Sequence, residues 1–185
     1  MRSTITLGVA ALVISACSPS DEPSQAAALA EPDSIPLIAQ AALSSAAGDP
    51  VGTVTLSRND GVLELNIELE GLEPSEKAFH LHTVGLCDAP DFKSAGGHLN
   101  PMDKSHGKLS DGGQHLGDFE NISITANGTV SVTRTIQGNA DEVLAFMFDE
   151  DGTAVMIHDG PDDYTTDPAG AAGPRIACGV LEETS

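Results

Sequence analysis

Hydrophobic and polar residues alternate most regularly between Val62 and Glu70. Four aliphatic side chains take every second position and polar side chains fill the positions between them, namely Leu63, Leu65, Ile67 and Leu69 against Glu64, Asn66, Glu68 and Glu70. A period of two places one set on a buried face, so this segment is predicted to be a β-strand. Similar short stretches recur from about residue 40 onward, and no helical stripe is found.

Turn dipeptides separate the predicted strands. Asp60-Gly61, Asn127-Gly128 and Asp151-Gly152 each lie between two β-rich stretches and are predicted to form hairpin turns. Several short antiparallel strands with glycine turns indicate an all-β sandwich or barrel. Residues 83–117 and 159–174 interrupt the strand pattern, and loops of this length in a compact domain are usually functional or held in place by other contacts.

The N-terminal sixteen residues resemble an export signal. Arg2 supplies a positive start, and the apolar run over residues 5–14 is too short to cross a bilayer. It ends in Ile14-Ser15-Ala16-Cys17, which resembles the bacterial lipoprotein signal in which the Cys becomes the lipidated first residue. Ser18, the residue after this Cys, resembles the sorting signal of lipoproteins that go to the outer membrane. The alternative is an ordinary cleaved signal followed by a cysteine with no lipid.

The next segment, residues 17–38, is rich in Pro, Ser, Ala and acidic residues and is predicted to be a flexible tether. Residues 39–185 then form one domain of ordinary size. With Cys17 assigned to lipid, Cys87 and Cys178 are left to pair in an oxidising compartment. Two free thiols are the alternative.

Charge and composition restrict the possible partners. The chain has 28 Asp or Glu against 8 Lys or Arg, a formal net charge of -20. Nucleic acid and anionic lipid headgroups need a basic surface, so neither is an expected partner. Hydrophobic residues make up 40% of the chain but aromatic residues only 3%, which predicts a core of Val, Ile, Leu and Ala.

All six histidines lie between residues 80 and 158. His80 and His82 would lie on the same face of a strand, about 7 Å apart, and two such imidazoles can bind one metal. A lone His-x-His is weak evidence, because pairs of this kind also occur on solvent-facing strands. A second group offers three nitrogens and one carboxylate, a ligand set that tetrahedral zinc accepts: His98, His106, His115 and Asp118. A solvated loop that scavenges metal weakly is the alternative for this group.

Five motifs together resemble the Cu/Zn superoxide dismutase family, over nearly all of the predicted domain. FHLHTVGLC (79–87) resembles the first copper motif and SAGGHLNP (94–101) the segment with the bridging histidine. HGKLSDGGQHLGDFENI (106–122) is similar to the zinc loop. MIHDGPDDY (156–164) resembles the last copper motif, and GPRIACGV (173–180) the closing signature with its arginine and second cysteine.

The resemblance implies an eight-stranded Greek-key barrel of immunoglobulin-like type, with one copper and one zinc per subunit. The implied copper ligands are His80, His82, His98 and His158. The implied zinc ligands are His98, His106, His115 and Asp118. Asp162 would be a carboxylate that links a copper histidine to a zinc histidine and orients both. Cys87 and Cys178 match the intrasubunit disulfide of the family.

The implied activity is conversion of superoxide to dioxygen and hydrogen peroxide through copper redox cycling. His98 would bridge the metals and supply a proton, and Arg175 would bind and attract the anionic substrate. Lys93, Lys104 and Lys108 lie within residues 83–117 and are candidates to add to the attraction of the anion, although simple solvation of loop lysines explains them equally well. One departure from animal members of the family, Ala169 in place of threonine, affects the expected channel shape.

The resemblance and the N-terminal signal together predict an enzyme of the bacterial envelope. It would lie in the periplasm, attached to the outer membrane only through lipid on Cys17, and protect the envelope from oxidative damage. Bacterial members occur as monomers and as dimers, so a homodimer is one expected assembly. Two rival functions are a copper-binding module without turnover and a copper-only relative, although the latter lacks the zinc ligands present here.

Overall fold

The structure, a computed structural model, describes residues 36–184. Its first three strands form a meander: β1 Leu37–Ser45, β2 Pro50–Asn59 and β3 Val62–Leu69. The remaining strands are β4 Glu76–Lys77, β5 Phe79–His82, β6 Ile122–Ser123, β7 Val130–Ile136, β8 Ala154–His158, β9 Arg175–Val180 and β10 Glu182–Glu183. One helix, α1, covers Ala140–Met147, and a short 3-10 helix covers Lys93–Ala95.

Eight strands form one curled antiparallel sheet. Seven of them follow the order β5-β8-β9-β1-β2-β3-β7, and β10 pairs with β1 beside them. The strand that pairs with β3 on its other side is β7, not β4, which follows β3 along the chain. At the other end of the sheet, β8 lies between β5 and β9. This crossing order is that of a Greek key. β4 and β6 form a separate two-stranded sheet, and the predicted all-β fold is confirmed.

The core lies on the inner face of this sheet and is aliphatic. The apolar side of β3 faces it, since Leu65 and Ile67 are fully buried. Leu65 pairs with Leu56 of β2, which is also fully buried. Burial of each such side chain contributes about 1.5–3 kcal/mol relative to exposure. The aromatic contribution is an edge-on contact at 5.4 Å between Phe79 and Phe119, which come directly before His80 and directly after Asp118.

The sequence shows no helical stripe, but the structure contains one α-helix, α1. Asn139 caps α1, because its side chain accepts hydrogen bonds from the backbone N–H groups of Asp141 and Glu142 at 3.0 and 3.2 Å. Two acidic residues in the first turn also favour the helix dipole. Val143 and Met147 are buried against the core. The helix has only 8 residues, so its apolar stripe is too short to stand out in the sequence.

The three predicted turns have different outcomes. Asp60-Gly61 joins β2 to β3 as a hairpin, and both residues have positive φ. Asn127-Gly128 connects β6 to β7, but those strands pair with β4 and β3 and not with each other. Asp151-Gly152 follows α1 and precedes β8, so its prediction as a turn between two strands was wrong.

Two long connections without strands were predicted, and the structure contains both. Between β5 and β6 it has only the 3-10 helix, and between β8 and β9 it has no regular element. We call residues 83–117 the first loop and residues 159–174 the second loop. β1 begins at Leu37, so the last two residues of the predicted tether belong to the sheet. The predicted signal, Cys17 and the rest of the tether lie outside the described residues. Within residues 36–184, no helix is long and apolar enough to cross a membrane.

Candidate metal centre

The two histidines of β5 are fully buried, as are Phe79 and Leu81 on its opposite face. Their burial arises because the first loop returns along β5 and bonds to it. Leu81 donates its N–H to Gly117 O at 2.9 Å and accepts the N–H of Leu99 at 2.8 Å. This pairing places His98 opposite His82 and Asp118 opposite His80. The histidine face of the strand is therefore an interior surface under a loop.

We call the first cluster the four-histidine group. Its members are His80, His82, His98 and His158, and one ring nitrogen of each lies within 4.8 Å of the others. The strands supply three of these side chains, because His80 and His82 lie on β5 and His158 ends the neighbouring strand β8. The loop supplies His98.

Hydrogen bonds fix which nitrogen of each ring faces the cluster. His80 Nε2–H donates to Asp162 Oδ2 at 2.8 Å. His82 Nδ1–H donates to Gly96 O at 3.0 Å, and His158 Nδ1–H donates to Gly173 O at 3.1 Å. The remaining nitrogens are buried without a hydrogen-bond partner: His80 Nδ1, His82 Nε2, His98 Nε2 and His158 Nε2.

An unpaired buried acceptor costs about 1–3 kcal/mol, so four together are unfavourable unless a cation binds them. Four neutral imidazole nitrogens are a ligand set that suits copper. The four-histidine group therefore fits a copper ion.

The second cluster, which we call the zinc group, consists of His98, His106, His115 and Asp118, and all four are buried. Asp118 Oδ1 lies 2.7 Å from His98 Nδ1 and 3.2 Å from His115 Nδ1. His106 Nδ1 is 3.2 Å from Asp118 Oδ2 without forming a hydrogen bond to it. His98 Nδ1 and His115 Nδ1 are 3.5 Å apart. Tetrahedral zinc with bonds of about 2.0–2.1 Å holds its ligands about 3.3 Å apart, so these donors fit zinc.

Asp162 joins the two clusters. Its carboxylate is fully buried and accepts from His80 Nε2 at 2.8 Å and from His106 Nε2 at 2.9 Å. The backbone at Gly170 approaches this carboxylate so closely that a Cβ there would overlap it. Gly170 also has a left-handed φ of +63°, which glycine adopts without strain. Sequence reasoning missed Gly170, because one glycine in a Gly- and Ala-rich stretch gives no distinguishing signal.

Burial keeps the histidines of the four-histidine group neutral. It lowers the pKa of His80 to about 3, of His82 to about 2 and of His158 to about 4. Burial alone would raise the pKa of Asp118, but the hydrogen bonds from His98 and the Gly107 N–H lower it to about 2. Neutral imidazoles and an ionised carboxylate are the forms that bind metal cations.

Arg175 lies beside the four-histidine group without joining it. It begins β9 opposite His158, and its guanidinium donates to Phe92 O and Gly96 O, both at 2.6 Å. Burial is the main cause of the lowered pKa of His82 and of His158. The positive charge of Arg175 lowers both pKa values further. A guanidinium near the cluster gives the site a local positive charge.

The predicted disulfide is confirmed. Cys87 and Cys178 are bonded, with Cα atoms 5.6 Å apart. Cys178 lies on β9 three residues after Arg175, and Cys87 lies in the first loop. The bond therefore attaches the loop that carries His98 to the strand that carries Arg175.

Two of the three lysines proposed to attract substrate are ion-paired. Lys93 Nζ lies 2.6 Å from Asp91 Oδ2, and Lys108 Nζ lies 2.7 Å from Glu120 Oε1. Among residues 36–184, Lys104 has no carboxylate within ion-pair distance. Lys93 and Lys108 are therefore weaker sources of attraction than unpaired lysines would be. Ala169 is partly buried in the second loop.

Comparison with known proteins identifies the family. A family model for copper/zinc superoxide dismutase matches residues 51–181. Copper-zinc superoxide dismutase 1 of Aquifex aeolicus is 47% identical over 142 residues, which is 73% of this chain and 82% of the relative.

Two solved structures are similar as well. A SOD-like protein from Bacillus subtilis has a TM-score of 0.73 at 35% identity and covers 79% of this chain and 99% of its own. The Cu/Zn superoxide dismutase from Brucella abortus has a TM-score of 0.62 at 29% identity and covers 77% of this chain and 98% of its own. This chain belongs to the copper/zinc superoxide dismutase family.

Proposed function

We propose that the chain converts superoxide to dioxygen and hydrogen peroxide, with copper held by the four-histidine group and zinc by the zinc group. The observation that carries this is the position of His98, whose two ring nitrogens face different clusters. Its Nε2 is unpaired among the four-histidine group, while its Nδ1 lies 2.7 Å from Asp118. Bound copper supplies one-electron chemistry, and zinc, which has no redox activity, supplies charge and structure.

His98 is the chain's own proton carrier at this site. Imidazole can release or hold a proton at Nε2 while its Nδ1 stays fixed on the side of the zinc group. Asp118 supports this because its carboxylate stays ionised and keeps the ring oriented. A proton held at His98 Nε2 would face the four-histidine group, where the product peroxide needs protons.

Arg175 binds and orients the substrate. Superoxide is a small anion, and the guanidinium is anchored by two backbone carbonyls at 2.6 Å, which fixes its position. Over distances beyond about 8 Å salt screens the net charge of -20, so the nearby guanidinium governs the last approach of the anion.

A copper-binding module without turnover is the main rival, and the solved Bacillus subtilis relative is itself described as SOD-like. What favours an enzyme here is that both clusters and Arg175 occur together in one chain. The test is a metal count on loaded protein beside a superoxide-consumption assay. We expect one copper and one zinc per chain together with rapid consumption.

His98→Ala provides the matched comparison, because His98 belongs to both clusters. The variant should lose copper, zinc and activity together. Full loading with both metals but no consumption of superoxide by the unaltered protein would favour the copper module. A single metal per chain after full loading would contradict the two-metal assignment.

We also propose export to the bacterial envelope, with lipid on Cys17 as the only membrane attachment. The support is the short apolar run that ends in Ile14-Ser15-Ala16-Cys17. The disulfide between Cys87 and Cys178 is consistent with an oxidising compartment such as the periplasm. The function there would be protection of the envelope from superoxide, and a homodimer stays a prediction.

A further inference from the structure

Tyr164 is the single tyrosine of the chain, and its backbone has an unusual conformation. It lies in the second loop, two residues after Asp162, with a φ of 64°. A bulky aromatic residue seldom adopts positive φ, so surrounding contacts must hold it there. One of those contacts is with Asp162, which joins the two metal-binding clusters.

Tyr164 has four polar or cationic contacts, each with a different residue. Its N–H donates to Asp162 Oδ1 at 2.6 Å, and its carbonyl accepts the N–H of Leu109 at 3.1 Å. Its hydroxyl accepts the N–H of Asn121 at 3.0 Å. Lys108 Nζ lies 4.4 Å from the centre of its ring, a cation–π distance. One residue thus connects the second loop to the first loop and to the segment after it.

Gly107 extends this connection to the zinc group. Its φ is +86°, and a Cβ at this position would overlap the carbonyl of Tyr164. The first loop therefore packs its backbone directly on Tyr164. Gly107 follows the zinc-group histidine His106 and donates its N–H to Asp118 Oδ2 at 2.8 Å. Tyr164 consequently supports Asp162 on one side and the backbone of the zinc group on the other.

Asn121 strengthens the same junction. Its side chain pairs in both directions with the backbone of Asp162, accepting its N–H at 2.8 Å and donating to its carbonyl at 3.0 Å. The Tyr164 hydroxyl accepts the backbone N–H of Asn121, so the phenol helps to keep the backbone of Asn121 in place. Loss of the hydroxyl leaves this partly buried N–H without an acceptor.

We infer that Tyr164 is a latch between the two loops, a positioning residue that slows the release of zinc. This rests on the proposed function, because it takes the zinc group to hold zinc. Zinc can leave only when its ligands separate, and His106 and His115 lie in the first loop. Contacts that hold this loop against the second loop oppose that separation. The latch should therefore act on zinc retention more than on the catalytic step.

The test measures the rate at which a chromogenic chelator removes zinc from the metal-loaded protein. Tyr164→Phe removes only the hydroxyl, and release should become roughly 3- to 10-fold faster, the change typical of one lost hydrogen bond. Tyr164→Leu also removes the ring under Lys108, and release should be faster still. The Cu(II) electron paramagnetic resonance spectrum should change little in Tyr164→Phe.

Thr153→Val is the matched control. Thr153 is fully buried and donates its hydroxyl to Met147 O at 2.8 Å, a hydrogen bond that involves neither loop. The variant should lower the melting temperature and leave zinc release unchanged. If Thr153→Val accelerates release as much as Tyr164→Phe does, zinc loss reports general instability and the latch is wrong.

Amide hydrogen exchange on metal-free protein tests the latch without zinc. In Tyr164→Phe the amide of Asn121 should exchange at least about threefold faster, while the Leu109 amide keeps its carbonyl acceptor and changes little. Unchanged exchange at Asn121 together with unchanged zinc release would overturn the inference. A chain that binds no zinc in any variant would contradict the proposed function instead, and exchange at Asn121 would then decide only whether the Tyr164 hydroxyl holds the two loops together.

Discussion

The role of Arg175 can be separated into charge and geometry by two substitutions. Arg175→Lys keeps the positive charge but loses the planar fork of donors. Arg175→Gln loses the charge but can still donate one hydrogen bond to Phe92 O or Gly96 O. Glutamine is preferable to alanine because Gly96 O also accepts from His82, so removal of every donor could disturb that ring. Both variants should retain copper, since Arg175 belongs to neither cluster.

The expected magnitude follows from one charge-assisted contact. A hydrogen bond to a charged group contributes about 1.5–3 kcal/mol, and about 1.4 kcal/mol is a factor of ten in rate. Arg175→Gln should therefore consume superoxide roughly 10- to 150-fold more slowly. Arg175→Lys should lose less, within about tenfold, because a cation still faces the anion. The two partly neutralised lysines, Lys93 and Lys108, cannot compensate.

Pulse radiolysis at several ionic strengths gives the decisive measurement. Attraction by Arg175 should make the rate fall as salt rises, and Arg175→Lys should preserve that trend. In Arg175→Gln the slope should approach zero or reverse, because the repulsion of the anion by the net charge of -20 is then opposed by less positive charge near the site. If fully copper-loaded Arg175→Gln shows the rate and salt slope of the unaltered protein, Arg175 does not bind or attract substrate.

Two further outcomes are expected. Cys17→Ser should move the protein from the membrane to the soluble fraction of the envelope, and unchanged fractionation would favour an ordinary cleaved signal. The metal-free protein should lose stability as the pH falls below about 6.5, because its unfolded state gains protons that buried His80 and His158 accept only near pH 3 and 4. The loss is on the order of 1.4 kcal/mol per pH unit for each such histidine. A melting temperature that stays constant between pH 7 and 5 would contradict it.

The sequence predicted the fold best where one physical signal was strong. Alternation along β3 is regular because its two faces meet core and solvent, and Asp60-Gly61 matches the positive φ that a tight hairpin requires. Helix α1 was missed because 8 residues hold only two turns. Its start is nevertheless encoded by Asn139 with Asp141 and Glu142 in the first turn, a pattern typical of helix N-termini.

For the metal centre, residue types and motifs led to the two ligand sets, and the structure brings both together. Local sequence could not reveal how the rings are held, since the partners of His82 and His158 are the backbone carbonyls of Gly96 and Gly173. Backbone carbonyls carry no residue identity. Tyr164 was missed for a similar reason, because its importance depends on contacts between two loops that only the fold brings together.

The sheet and the loops hold the two sets of metal ligands in different ways, so strand spacing could predict most of the copper ligands, whereas the support of the zinc ligands required the structure. Three histidines of the four-histidine group lie on paired strands, so their spacing is set by strand geometry that a sequence reader can anticipate. His106 and His115 of the zinc group lie in a part of the first loop that has no helix or strand, so this part needs contacts from elsewhere to hold its shape. Asp162 and Tyr164 supply those contacts from the second loop, through the hydrogen bonds from His106 Nε2 and from the Leu109 N–H. Zinc retention should therefore be more sensitive than copper retention to substitutions in the second loop.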